Sequence, residues 1–145
     1  MAYSGYLIKV GTGGSAYTIP LKYMRYETYQ VTYYTQDLDS YRDADGVLHR
    51  NALQSRIGKI EFNTPIINNS DFETLMSNIR SQYSDPNEKR ASVTFYVPEI
   101  NDYVTQPMYI PDVVTKIRNV NENTNTISYT ETRIAFIGYG VKPND

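Results

Sequence analysis

The chain has 145 residues, enough for one domain with a core of its own. It contains no cysteine, which removes a disulfide framework, a thiolate nucleophile and a Cys-based zinc site from consideration. With 14 Lys and Arg against 16 Asp and Glu the net charge is -2, so there is no cationic excess of the kind a nucleic-acid footprint needs.

The N-terminal stretch Met1-Ala2-Tyr3-Ser4-Gly5-Tyr6 has neither a basic region nor an apolar one, so no secretory signal is expected. Apolar runs stop at a handful of residues, far short of the roughly 20 that span a bilayer. The expectation is a soluble chain made in the cytosol. One bias stands out: 15 Tyr, with 4 Phe and no Trp. More than half of the tyrosines precede residue 35. Tyrosine suits half-buried sheets and wet interfaces alike. Two readings follow, a tyrosine-rich sheet surface or a surface covered in part by a partner chain.

In chain order, Tyr6 to Val10 reads as a short strand that ends in the turn Gly11-Thr12-Gly13-Gly14-Ser15. This turn lacks full G-x-G-x-x-G spacing, and the β-like Ala16-Tyr17-Thr18-Ile19-Pro20 follows it. A phosphate loop needs a helix N-terminus behind it, so nucleotide binding is not expected here. Residues 21 to 35 read as a long strand with two mixed faces, Tyr29 and Tyr33 sharing one of them. The polar stretch 37–51 carries the turn signal Asp45-Gly46, and its flanks Tyr41-Arg42 and Val47-Leu48 predict a protruding hairpin. Ser55 to Asn63 reads as a strand with Gly58, Ile60 and Phe62 on one face.

The spacing of Phe72, Leu75, Met76, Ile79 and Tyr83 predicts one amphipathic helix over about 70–83. Ser70 and Glu73 fit a capping box at its start, and Pro86 follows its end. Ala91 to Val97 alternates, with Val93, Phe95 and Val97 inward. Tyr109 to Asp112 marks a corner. Val113 to Val120 and Ile127 to Tyr139 read as strands, joined as a hairpin across Asn121-Glu122-Asn123-Thr124-Asn125. No solenoid period or linker interrupts the chain, which predicts a single β-rich domain over 1–145. The fold class expected is mainly β (α+β), an antiparallel β-sandwich or open barrel with one flanking helix and an extended hairpin at 37–51.

The chain offers little chemistry. His49 is the one histidine, it lies in the polar loop, and no G-x-S-x-G elbow surrounds a serine. A calcium loop with Gly46 at its sixth position would put Tyr41 at the first and Ala52 at the twelfth, where acidic ligands are required. Sixteen acids always include some pairs, so paired carboxylates carry no weight without a pattern. The expectation is a structural or binding protein, not an enzyme, with no catalytic residue, metal or cofactor.

The stretch from Asp37 to Asn51, the strand Arg56-Ile57-Gly58-Lys59-Ile60-Glu61-Phe62, the capped helix and the later hairpin together resemble a known layout. It is similar to that of small phage and prophage tail proteins of bacteria in the Gram-positive lineage, and to the tail-tube class. The resemblance spans about residues 20 to 139. It implies a virion tail protein, made in the host cytoplasm, that assembles with itself into a ring or tube and with other tail proteins. DNA would pass through the lumen without sequence-specific contact. The hairpin would then reach a neighbouring subunit, which marks Asp39, Tyr41, Arg42, Asp43, Asp45, Val47, Leu48, His49 and Arg50, with Tyr29 and Tyr33, as expected interface residues. The other reading of the residues is a non-catalytic carbohydrate- or receptor-binding module, in which exposed tyrosines stack on sugar rings.

Overall fold

The structure is a computed structural model and describes residues 3–37, 40–50 and 52–139. Its strands are β1 (Ile8–Val10), β2 (Tyr17–Thr18), β3 (Gln30–Asp37), β4 (Tyr41–Arg42), β5 (Leu48–His49), β6 (Ala52–Asn63) and β7 (Ile67–Asn68). The helix α1 (Asn69–Arg80) follows, then β8 (Arg90–Val97), β9 (Asp102–Tyr109), β10 (Ile117–Asn121), β11 (Thr126–Tyr129) and β12 (Arg133–Gly138). Seven strands form an open antiparallel sheet in the order β2-β1-β8-β9-β12-β6-β3. A second sheet runs β10-β11-β7, and β4 and β5 make a two-stranded ribbon. The mainly β class with one helix is as the sequence predicts, and the sheets are open rather than closed into a barrel.

One face of the large sheet builds the core. Ile8 lies opposite Phe95, Val10 opposite Val93, Ile60 opposite Phe136 and Phe62 opposite Ile134. All eight are fully buried. Cross-strand partners share a face because side chains alternate along a strand, so this register collects them into one layer. Leu75 and Ile79 of α1 close over that layer, with Tyr23 and Met24 beside them. In β8 the expected alternation is complete: Ala91, Val93, Phe95 and Val97 are buried, and the residues between them are half-buried.

Four sequence expectations are corrected. Residues 21–29 are not strand; two single 3₁₀ turns, Leu21–Tyr23 and Tyr26–Thr28, carry the chain to β3. The neighbours Tyr23 and Met24 are both buried, which an extended strand with one inward face does not allow, so tertiary burial overrides the β-propensity of the tyrosines. This segment is tied to β6: the Arg25 amide donates to the Asn63 carbonyl at 2.9 Å, and the Thr28 hydroxyl accepts from the Asn63 amide at 2.8 Å. The helix begins earlier than expected. Asn68 is its N-cap, accepting from the Asp71 amide at 2.7 Å, and Ser70 lies inside the first turn. Asn68→Ala is therefore expected to lower stability by about 1 kcal/mol, with Ser70→Ala near neutral, read as the shift in urea midpoint. An equal shift for both would restore the Ser70 cap.

The third correction is β9, over which no strand is expected from the sequence and which contains Pro107. The Pro107 carbonyl accepts from the Tyr139 amide at 3.1 Å. Its nitrogen faces the same side without a hydrogen to give, so proline sits where the β9–β12 ladder ends. Fourth, 127–139 is two strands, β11 and β12, and the strand expected from Val113 begins only at Ile117. The hairpin across the Asn-rich turn is present, with Val120 opposite Ile127.

Candidate functional site

The hairpin predicted at 37–51 is the tip of a longer arm. β3 pairs with β6 from Gln30 opposite Glu61 out to Asp37 opposite Ala52. β12 supports β6 only from Asn63 to Lys59. Past Gly58, the β3–β6 ribbon continues as two strands. Its root is tightly built: the Gly58 amide donates to the buried Gln106 Oε1 at 2.9 Å, and Gly58 lies against Phe95 and Gly138.

At the tip Tyr41 lies opposite His49, and Arg42 opposite Leu48, one residue displaced from the expected pairing with Val47-Leu48. Gly46 adopts φ 83°, the left-handed conformation that the turn signal required. Asp43 organises the turn. Its Oδ1 accepts from the amides of Asp45 (2.9 Å) and Val47 (3.0 Å), and its Oδ2 lies 2.8 Å from His49 Nε2. The His49 hydrogen bond, then the Val47 amide, hold the Asp43 carboxyl below the usual carboxylate range. The Tyr41 and His49 rings stack at 4.8 Å, and Arg42 donates to the Gly46 carbonyl at 2.9 Å. Polar groups thus shape the tip from within, while Tyr41 (59%), Val47 (56%) and Leu48 (44%) stay exposed. Asp45 and Arg50 are exposed as well.

The remaining expected interface residues lie elsewhere. Asp39 falls outside the described residues. Tyr33 is half-buried on β3 opposite Gly58. Tyr29 packs against the core, and its hydroxyl donates to the Tyr96 carbonyl at 2.7 Å, so burial pushes its phenol far up. The His49–Asp43 pair stands on an exposed hairpin rather than in a cleft. Among the described residues, no three His, Cys, Asp or Glu side chains come together as a metal site. No helix among the described residues is long and apolar enough to cross a membrane.

Two further surfaces escaped the sequence reading. The edge strand β10 exposes Ile117 (61%) and Val120 (54%), with Val114 (73%) just before it and Lys116 and Arg118 between. Aliphatic residues in a strand-like stretch look the same in sequence whether they face core or solvent. The second surface is a groove of about 650 Å³ lined by Tyr3, Leu7, Leu21, Tyr26, Tyr29 and Tyr96 with Pro98. It belongs to a run of tyrosine contacts: Tyr3 meets Tyr96 edge-on, Tyr96 meets Tyr103 edge-on, and Tyr103 stacks on Tyr6 at 4.6 Å. Of the N-terminal tyrosines, Tyr3 and Tyr6 thus meet the tyrosines of β8 and β9, while Tyr17, Tyr23, Tyr29 and Tyr33 lie in or against the core.

Three comparisons bear on the fold. The profile of a family described as a family of unknown function (DUF6711) matches residues 1–139. No curated protein matches the chain. Among solved structures, a chain from the tail of an empty GTA particle, refined with helical C6 symmetry, is similar at TM-score 0.54 and 17% identity, covering 97% of this chain and 96% of that one. A chain from the virion of a native gene transfer agent (GTA) particle is similar at TM-score 0.51 and 14% identity, covering 97% and 96%.

Proposed function

This chain belongs to the DUF6711 family, and from that premise we propose that it is a structural subunit of a phage-like tail, assembling through β contacts between subunits into a ring or tube. The observation that carries this reading is the arm. It runs beyond the strand that supports it and is ordered by its own hydrogen bonds, yet it offers Tyr41, Val47 and Leu48 to solvent. An exposed ribbon with apolar side chains at its tip needs a covering surface. The fold shared over nearly the whole chain with a subunit of a particle tail supplies the setting. On this reading the partners are further copies of the chain and other tail proteins, the location is the virion tail, and synthesis is in the host cytoplasm. The lumen passes DNA without holding it, for which a net charge of -2 is suitable. No catalytic step is part of the role.

Deleting residues 41–48 is expected to abolish assembly and leave the fold intact, checked by light scattering after size exclusion, negative-stain imaging and circular dichroism. An unchanged oligomer would sink the proposal. The aromatic groove favours a second reading, a carbohydrate-binding module, since tyrosine faces stack on sugar rings. That reading gains if the wild-type chain stays monomeric at high concentration and binds glycans saturably.

A further inference from the structure

The two exposed hairpins stand at opposite ends of one strand. β6 has 12 residues, so it is about 36 Å long at roughly 3.3 Å per residue. The arm tip, β4 and β5, precedes its Ala52 end. The β10–β11 hairpin is rooted at its Asn63 end: β7 begins four residues beyond Asn63, β11 pairs with β7, and the first residue of β12, Arg133, lies opposite Asn63. The tip and β10 therefore stand apart within one molecule and can approach one another between molecules placed end to end.

Their chemistry is complementary. The arm tip presents Tyr41, Val47 and Leu48 beside the carboxylate of Asp45 at the turn. The β10 edge presents Val114, Ile117 and Val120 interleaved with the cations Lys116 and Arg118. Cations on an edge strand are ordinary protection against unwanted pairing. Three branched aliphatics at 54% to 73% exposure on the same stretch are not, because they invite the contact that the cations would otherwise discourage. The five residues of β10 are all exposed, and β10 pairs with β11 on one side only.

We propose that the arm tip of one copy docks on the β10 edge of the next, a head-to-tail contact in which Val47 and Leu48 cover Ile117 and Val120 while Asp45 faces Lys116 and Arg118. The inference rests on the tail-subunit reading and names the surface that receives the arm. A heterologous contact of this kind propagates from copy to copy instead of closing a pair, which suits a stack.

The absence of cysteine gives a clean test. Val47→Cys, Val120→Cys and the double variant are oxidised at assembling concentration and run on non-reducing gels. The expected result is a ladder of concatemers from the double variant and monomer from each single variant. Dimers from Val47→Cys alone would mean a tip-to-tip contact and overturn the proposal. Particles visible by negative stain with no ladder would overturn this contact and leave the tail reading standing. Monomer under all conditions would overturn both. A charge exchange adds a second readout. Arg118→Glu is expected to raise the concentration needed for assembly about tenfold or more, and Asp45→Lys to restore part of it in combination. An additive double variant would also count against the contact. Both residues are exposed, so the thermal midpoint of each variant should match that of the parent.

Discussion

Phe95→Ala is expected to lower folding stability by about 3–5 kcal/mol, the largest effect of any single substitution considered. Phe95 is fully buried at the centre of β8, opposite Ile8 on one side and Val104 on the other. Its ring also lies over the Cα of Gly58, so close that a Cβ built there would stand 2.5 Å from Phe95 Cζ. Truncation removes the transfer energy of the ring and leaves a cavity that the neighbouring strands cannot fill, because they are held in register by β1, β9 and β12. Urea denaturation should show a lower midpoint at an unchanged slope. A loss below about 1 kcal/mol would mean that this face of the sheet is not a packed core.

Gly138→Ala is the second large effect, and it acts through excess atoms instead of missing ones. A Cβ at Gly138 would meet the Gly58 carbonyl oxygen at 2.9 Å and Gln106 Oε1 at 2.9 Å. Neither neighbour yields easily. One is backbone, and the other is a fully buried side chain that accepts the Gly58 amide. The expected cost is roughly 1–3 kcal/mol. Gly14→Ala, with nothing within 4 Å of the new Cβ, serves as the near-neutral control. Gly58 is the last residue of the arm's root, so the same substitution should also raise amide exchange along β3 and the outer half of β6. An unchanged exchange pattern with lowered stability would separate the root from the arm.

Periodicity made the regular parts of this fold legible. β8 declared itself by alternation, and α1 by the stripe from Phe72 to Ile79. The arm tip was legible because Asp45-Gly46 specifies a turn whose φ only glycine adopts at low cost. The misses have physical causes. Residues 21–29 carry strand-forming side chains, but the need to bury Tyr23 and Met24 together is a tertiary fact. Asn68 and Ser70 are both good caps, and the choice between them depends on where β7 releases the chain. No strand is expected over β9, and only the finished sheet shows that it holds Pro107 where that side of the ladder stops. The outward face of β10 left no mark in the pattern of hydrophobic residues, since Val114, Ile117 and Val120 read in sequence as inward-facing aliphatics would.

The order of strands in the large sheet also fixes when the molecule is finished. β2, β1, β8 and β9 form one block and β6 and β3 another, and within this sheet β12 alone joins the two. β12 is the last strand of the described chain. During synthesis both blocks therefore wait with an open edge until residues 133–138 arrive, and the distant pairings of β1 with β8 and of β6 with β12 make closure slow. The wait also bears on the arm. Until β12 inserts, the root at Gly58 has no Gly138 against it and the arm has no firm base. A chain that has not yet added β12 therefore lacks the base on which the β3–β6 arm stands.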